Sequence, residues 1–210
     1  MDVIFLGTSG AIPTKNRNLP GIALLYKGKQ ILMDTGEDIQ RQFEYSPLKF
    51  NSPLQILISH LHGDHIIGLP GLLFHFQLIH RDSEVEIYGP PGIFEYLMTH
   101  KKYVGLHARY LHNIYEFQEN GYDLLKYNFQ DSPDQMPKQI SLKKEYQIIE
   151  TESYCVKAVP VCHSIPTWGF KFIEKDRTGK FNPKRAKELK IPMGPLWRKM
   201  QKNPNKEILI

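Results

Sequence analysis

The feature that most constrains this chain is the run His-Leu-His-Gly-Asp-His at residues 60–65. One residue, Ser59, separates it from an apolar run at residues 54–58, whose length and flanking polar residues predict a buried β-strand. His60 and His62 are two residues apart, so their side chains project to the same side of an extended segment. Gly63 then predicts a turn into a helix. The sequence therefore gathers several potential metal ligands at one strand-to-helix connection.

The side chains in this run are suited to binding a divalent metal. Neutral imidazole and carboxylate groups suit zinc, and they also suit manganese or iron. We expect His60 and His62 to share one ion and Asp64 and His65 to face a second, which predicts a dinuclear catalytic site. The alternative is that the histidines cap a helix or lie on a solvated loop. It is less favoured, because an ordinary cap needs only one polar residue.

His163 is a candidate third ligand of the first ion. It follows a predicted strand at residues 154–160, and the ends of strands are where loops present functional side chains. Taken alone, a histidine at such a position is more often a structural residue. Beside the cluster at residues 60–65 it would complete a set of imidazoles with His60 and His62.

Length and composition indicate one globular domain, with room for a small appended arm. The chain has 210 residues, of which 41% are hydrophobic and 23% charged. No apolar stretch approaches the roughly 20 residues of a membrane span, and the N-terminus shows no signal-peptide pattern. These features predict a cytoplasmic protein. Cys155 and Cys162 are too few for a disulfide framework, and we expect thiols rather than a bridge.

Positive charge is concentrated near the C-terminus. The formal net charge is +5, from 27 basic and 22 acidic residues, and the basic residues crowd into residues 171–206. This segment is the best candidate for a surface that faces phosphate groups. The alternative is an ordinary solvated face, since basic helices are common on protein surfaces.

Hydrophobic patterning and turn residues predict an irregular alternation of strands and helices. The alternation lacks the regular spacing of a doubly wound parallel sheet, so we expect a mixed α/β fold with helices packed outside the sheet. A helix over residues 66–80 would be interrupted at Pro70-Gly71. The predicted strands are residues 1–6, 22–26, 30–33, 54–58, 85–88, 113–117, 139–142, 146–150 and 154–160, and the other helices are 39–45, 93–102 and 182–190.

The motifs resemble those of the metallo-β-lactamase superfamily and, within it, the ribonuclease Z family. The metal motif specifies only the superfamily, whereas the first loop and the Gly194-Pro195-Leu196 element narrow the resemblance to the nuclease. It extends from residue 1 to about residue 204. The matching segments are residues 5–14, 16–18, 34–37, 40–42, 59–65 and 191–197, together with His163.

This resemblance implies a fold, a reaction and a substrate. The fold would be the N-terminal half of an αββα sandwich over residues 1–170, followed by an incomplete basic arm over residues 171–210. The reaction would be removal of the 3′ trailer from precursor tRNA by a zinc phosphodiesterase that leaves a 3′-hydroxyl. Asp34 would support a ligand histidine. The implied site residues are catalytic Asp64; metal ligands His60, His62, Asp64, His65 and His163; substrate-loop residues Asn16, Arg17 and Asn18; and tRNA-binding residues Lys184, Arg185, Gly194, Pro195 and Arg198.

The resemblance also implies residues that the chain does not contain. The family has a later aspartate that bridges two zinc ions and two later histidines, and none of the remaining residues matches them. We therefore expect a C-terminally truncated form that firmly holds one ion or fewer on its own. Such a chain is a truncated product, pairs with a second chain, or forms a homodimer. The alternative functions are a catalytically incomplete tRNA-binding module and, less favoured, a small-molecule hydrolase of the same superfamily.

Overall fold

A mixed eight-stranded sheet forms the framework of the fold. The structure, a computed structural model, describes residues 1–175 and 181–202. In the described residues the sheet order follows the chain order, with parallel pairing from the third to the sixth strand and antiparallel pairing elsewhere. The mixed α/β fold predicted from the sequence is thereby confirmed. The strands are β1 (Asp2–Gly7), β2 (Gly21–Tyr26), β3 (Lys29–Met33), β4 (Leu54–Leu57), β5 (Val85–Gly89), β6 (Leu111–Phe117), β7 (Asp123–Asn128) and β8 (Lys138–Ser141).

Helices connect the parallel strands and cover one face of this sheet. They are α1 (Ile39–Glu44), α2 (Gly63–Ile66), α3 (Gly68–Leu78) and α4 (Ile93–Val104). Their apolar side chains meet those of the sheet in one core, which contains the fully buried Phe43 and Phe76 of the helices and Ile56 of β4. Parallel strands need such crossover connections. The core therefore fixes where each parallel strand ends. It thereby also fixes the position of the metal-ligand candidates that follow β4.

The remaining strands form a second sheet of three strands. They are β9 (Gln147–Glu150), β10 (Tyr154–Val161) and β11 (Thr167–Glu174), and β10 lies in the middle of this sheet. Two short helices follow, α5 (Pro183–Glu188) and α6 (Pro195–Lys202).

The chain divides into two compact units. The first comprises Met1–Ile149 and Val156–Lys171, and the second comprises Glu150–Cys155 and Phe172–Ile210. The division into residues 1–170 and 171–210 inferred from the family resemblance stays a prediction.

Several local predictions differ from the structure. Helix α3 runs through Pro70 without interruption, because Pro70 lies in the first helical turn, where a backbone N–H has no helical partner. Strands β7 and β11 were not predicted, although the alternating Trp168, Phe170 and Phe172 of β11 carry a strand signal.

Two findings bear on the class of protein. Among the described helices, none is both long enough and apolar enough to cross a membrane. Cys155 is buried, Cys162 is exposed, and both are free thiols. The expectation that the cysteines do not form a bridge is confirmed.

Close backbone packing brings the start of α3 against the segment after β3. The Gly68 N–H donates to the carbonyl of Thr35 at 2.9 Å. A Cβ atom added to Gly68 would lie 2.0 Å from the backbone oxygen of Gly36, a distance that only a backbone shift can relieve. Glycine is required at position 68 for this approach, and the contact joins the segment that follows Asp34 to the helix that follows the metal-ligand candidates Asp64 and His65.

We expect Gly68→Ala to destabilise the protein by about 2 kcal/mol or more, because overpacking against backbone cannot be relieved by side-chain rotation. Gly71→Ala is the matched control in the same helix. Its Cβ would meet only the Gln40 side chain, at 3.4 Å, and alanine favours a helix over glycine by about 1 kcal/mol. Urea unfolding monitored by circular dichroism measures both changes. Equal effects of the two substitutions would contradict the packing argument.

Candidate metal centre

Three histidines from two distant parts of the chain converge in the first unit. His60 and His62 lie in the segment after β4, and His163 lies between β10 and β11. Each offers one ring nitrogen such that the three atoms lie within 4.8 Å of one another. His62 Nδ1 and His163 Nε2 lie 3.3 Å apart. The structure thus brings together the ligand set inferred for the first ion.

The separation of one pair of these nitrogens fits a tetrahedral metal ion. Zinc–nitrogen bonds of about 2.0–2.1 Å place two tetrahedral ligand nitrogens about 3.3 Å apart. His62 Nδ1 and His163 Nε2 have this separation. His60 is buried, His62 is half-buried and His163 is exposed. The cluster is therefore anchored on its inner side and open to solvent on the other, which suits a site that must admit a substrate.

Asp64 and His65 lie beside this cluster, at the start of the short helix α2. The rings of His60 and His65 have centroids 4.1 Å apart. His65 Nε2 lies 3.5 Å from Asp64 Oδ2. The two side chains predicted to face a second ion are therefore neighbours of each other and of the first cluster. Whether they hold an ion stays a prediction.

The carboxylate of Asp34 connects this second pair with the first cluster. Asp34 follows β3 and has a positive φ of 58°. Its Oδ1 accepts the backbone N–H of Ser59 at 2.7 Å, and its Oδ2 accepts the Ser59 hydroxyl at 2.9 Å. Oδ2 also lies 2.8 Å from His65 Nδ1. The family resemblance implied that Asp34 supports a ligand histidine, and the structure places it against His65.

Two further groups at the site were not identified from the sequence. The Ala11 N–H donates to Asp64 Oδ2 at 2.8 Å, across 53 residues of chain. The Ser59 hydroxyl lies 2.8 Å from His60 Nδ1. A long-range backbone donor leaves no local pattern in the sequence, so nothing there identifies Ala11. Ser59 had a weak signal, since it is the hydroxyl residue directly before the first histidine.

Burial and neighbouring groups lower the pKa values of His60 and Asp64 and raise the pKa of His65. Burial lowers the pKa of His60, and the nearby His65 adds to the effect. Burial also opposes the charged form of His65, but the hydrogen bond and the charge of Asp34 outweigh it and raise the pKa. For Asp64, partial burial is outweighed by the Ala11 N–H and by His65, which lower its pKa. At neutral pH the site therefore offers a neutral His60 and an ionised Asp64, the protonation states in which these groups bind metals.

The predicted substrate loop lines a polar cavity of about 380 Å³ in the first unit. The wall includes Asn16, Arg17 and Asn18, and basic Lys15 and Arg41 face the same cavity. Lining residues lie on both sides of Ala11 in the loop between β1 and β2, and the Ala11 N–H contacts Asp64. The cavity and the metal-site residues thus share one loop, and the basic lining suits an anionic ligand.

In the second unit, the candidate tRNA-binding residues lie on or beside short helices. Lys184, Arg185, Gly194, Pro195 and Arg198 are all exposed. Arg185 forms an ion pair with Glu188 at 2.9 Å. Trp197 packs against Phe181, with ring centroids 5.0 Å apart, and donates to the backbone oxygen of Ile191 at 3.3 Å. The half-buried Trp197 therefore helps to order this segment.

Curated relatives match almost the whole chain. A ribonuclease Z from Nitrosopumilus maritimus is 34% identical over 96% of this chain and 58% of the relative. A ribonuclease Z from Methanococcus aeolicus is 39% identical over 93% of this chain and 53% of the relative. The zinc phosphodiesterase ELAC protein 1 of Mus musculus is 33% identical over 96% of this chain and 60% of the relative. The chain thus spans somewhat more than half the length of these relatives.

Solved structures agree on the fold. The short form of human tRNase Z is similar with a TM-score of 0.64 and 28% identity, over 84% of this chain and 66% of that one. The metallo-β-lactamase fold protein YhfI from Bacillus subtilis is similar with a TM-score of 0.55 and 17% identity, over 81% of this chain and 57% of that one. The second likeness bears on the fold alone.

A family model described as anti-Pycsar protein Apyc1 matches residues 1–175. That range contains every metal-ligand candidate, the substrate loop and Asp34, and it ends before α5. The sequence resemblance to ribonuclease Z and to the metallo-β-lactamase fold is confirmed by the relatives and the solved structures. The chain therefore has the metallo-β-lactamase fold and belongs to the family of the anti-Pycsar protein Apyc1.

Proposed function

We propose that the protein is a zinc phosphodiesterase that removes the 3′ trailer from precursor tRNA and leaves a 3′-hydroxyl on the tRNA. The observation that carries this proposal is the His60, His62 and His163 cluster with its ligand-like spacing. Relatives named ribonuclease Z, which match 96% of the chain, support the choice of RNA as substrate. Because the chain spans only 58% of such a relative, the reaction and its substrate are our inference.

Some residues of the chain would bind zinc, and Asp64 would also orient the attacking water. The three histidines would hold the first zinc ion, and Asp64 and His65 would contribute to a second. Bound zinc supplies Lewis-acid charge that lowers the pKa of a water molecule and neutralises phosphate oxygens. Asp64 Oδ2 already accepts the Ala11 N–H, which leaves Oδ1 to accept a hydrogen bond from the attacking water. Since a general base works best with a pKa near 7, the lowered pKa of Asp64 favours an orienting role.

Two basic surfaces would serve the polyanionic substrate. The cavity lined by Asn16, Arg17 and Asn18 would receive the nucleotides near the cleaved bond. Exposed Lys184 and Arg198 would contact tRNA phosphates in the second unit. Phosphate contacts of this kind supply affinity and position without reading sequence. A cytoplasmic location stays a prediction from the sequence.

A second candidate is a tRNA-binding module that needs a second chain for activity. It is favoured by apolar side chains that alternate along the edge strand β1, where Val3 and Phe5 are 48% and 65% exposed. Exposed apolar side chains on an edge strand offer a surface against which another chain can pack. The second chain would be another copy, in a homodimer. This candidate differs from the first in predicting tRNA binding without cleavage.

A third candidate is a phosphodiesterase for a smaller substrate. It is favoured by the family model, which covers residues 1–175 and so includes the metal-ligand candidates but not the helices α5 and α6. A small substrate would need the cavity beside the first loop and would gain nothing from Lys184 or Arg198. The two enzymatic candidates are therefore separated by whether the second unit contributes to activity.

We expect His62→Ala and Asp64→Asn each to reduce trailer cleavage about 100-fold or more, because each removes a metal ligand. Both variants should bind precursor tRNA almost normally, since the phosphate contacts lie elsewhere. Gel analysis of a trailer-bearing tRNA measures cleavage, and filter binding measures affinity. His112→Ala removes an exposed histidine and serves as the control. Metal analysis of the purified chain completes the test: about two zinc ions per chain support the nuclease, and one or none supports the binding module.

We expect Lys184→Gln combined with Arg198→Gln to weaken tRNA binding and to lower the slope of log affinity against log salt by about 1 for each phosphate that is no longer neutralised. Hydrolysis of bis(p-nitrophenyl) phosphate should not change, because that substrate is too small to reach a second surface. The matched control is Lys27→Gln combined with Lys29→Gln, an equal reduction of positive charge at exposed positions in the first unit. Equal weakening by both pairs would mean that only overall charge matters.

A further inference from the structure

The geometry points to Ser59 as a positioning residue that fixes the tautomer of His60. We propose that its hydroxyl connects His60 Nδ1 to the Asp34 carboxylate and thereby leaves His60 Nε2 free for the metal. The inference rests on the metal site of the proposed function, but it concerns the protein before any ion binds. Ser59 is not itself a ligand, and it acts through His60.

The direction of each hydrogen bond follows from the donors available. An ionised carboxylate has no proton to give, so Asp34 Oδ2 can only accept from the Ser59 hydroxyl, at 2.9 Å. A serine hydroxyl carries a single hydrogen. The contact of 2.8 Å between the Ser59 oxygen and His60 Nδ1 must then have the ring as its donor. His60 therefore carries its proton on Nδ1 when it is neutral.

The same argument from donors and acceptors applies to His65, which contacts the Asp34 carboxylate directly. His65 Nδ1 lies 2.8 Å from Asp34 Oδ2 and donates to it. One carboxylate oxygen thus orients two imidazoles, His65 by direct contact and His60 through the Ser59 hydroxyl. Both rings keep the proton on Nδ1, so Nε2 is the nitrogen available to a metal in each.

The backbone around Ser59 keeps the hydroxyl in place. Its N–H donates to Asp34 Oδ1 at 2.7 Å, and its carbonyl accepts the N–H of Trp168 at 3.0 Å. Neither bond uses the side chain of Ser59. Ser59→Ala therefore removes the link to His60 while the backbone contacts and the Asp34–His65 contact remain. Outer groups that orient ligand histidines typically change metal affinity about 10- to 100-fold.

The test is nitrogen NMR of the histidine rings in metal-free protein, combined with zinc titration. We expect His60 in the wild type to show a protonated Nδ1 and an unprotonated Nε2. In Ser59→Ala, Nδ1 loses its acceptor, so the Nε2-protonated form should appear and the zinc dissociation constant should rise about 10- to 100-fold. Ser59→Thr keeps a hydroxyl and should restore both properties. His65 should be unchanged in either variant.

Two controls separate this role from a general effect on folding. Ser46→Ala removes a half-buried hydroxyl that donates to Phe43 at 2.6 Å, away from the site, and should alter neither the His60 tautomer nor zinc affinity. Asp34→Asn should disturb both His60 and His65. An unchanged His60 tautomer in Ser59→Ala, or no rescue by threonine, would overturn the proposal. Neither outcome depends on RNA cleavage, so the inference can fail while the proposed function stands.

Discussion

The hydrogen bonds of the Asp34 carboxylate are the constraint on which the candidate metal site depends. Asp34 follows β3 and Ser59 follows β4, and these strands are parallel neighbours. Because parallel strands end at the same edge of a sheet, residues that follow them meet there. The Asp34 N–H donates to the Leu57 carbonyl at 2.9 Å, which extends the strand pairing up to the carboxylate. Sheet pairing therefore delivers the side chain that orients His65 directly and His60 through Ser59.

A second set of contacts fixes the helix side of the same site. The Thr35 N–H donates to the His65 carbonyl at 2.7 Å, and the Thr35 carbonyl accepts the Gly68 N–H at 2.9 Å. Thr35 is fully buried. The end of α2 and the start of α3 are thus tied to the residue that follows Asp34. The two backbone hydrogen bonds of Thr35 therefore hold both the close approach that requires glycine at position 68 and the backbone position of His65.

The sequence predicted the parts of the site that depend on local chemistry and missed the parts that depend on tertiary contacts. His60 and His62 were recognisable because alternation along an extended segment places them on one side. His163 was identified only because a cluster existed elsewhere for it to join. The Ala11 N–H contributes through its backbone, so the identity of the side chain carries no information about it. Strand β7 was missed because half-buried positions make its pattern weak, whereas Pro70 was misread because its place within the helix was unknown.

The division of the chain separates the metal-ligand candidates from the candidate tRNA-binding residues. Every metal-ligand candidate, Asp34 and the polar cavity lie in the first unit, while Lys184, Arg185 and Arg198 lie in the second. The second unit has its own small packing centre, in which Trp197 contacts Phe181 and the buried Ala186 and Ile191 lie nearby in the chain. Packing of this kind holds a short basic segment in a defined shape, which a merely solvated helix would not need. The second unit therefore holds exposed basic residues in a defined arrangement, whereas the first unit contains every metal-ligand candidate.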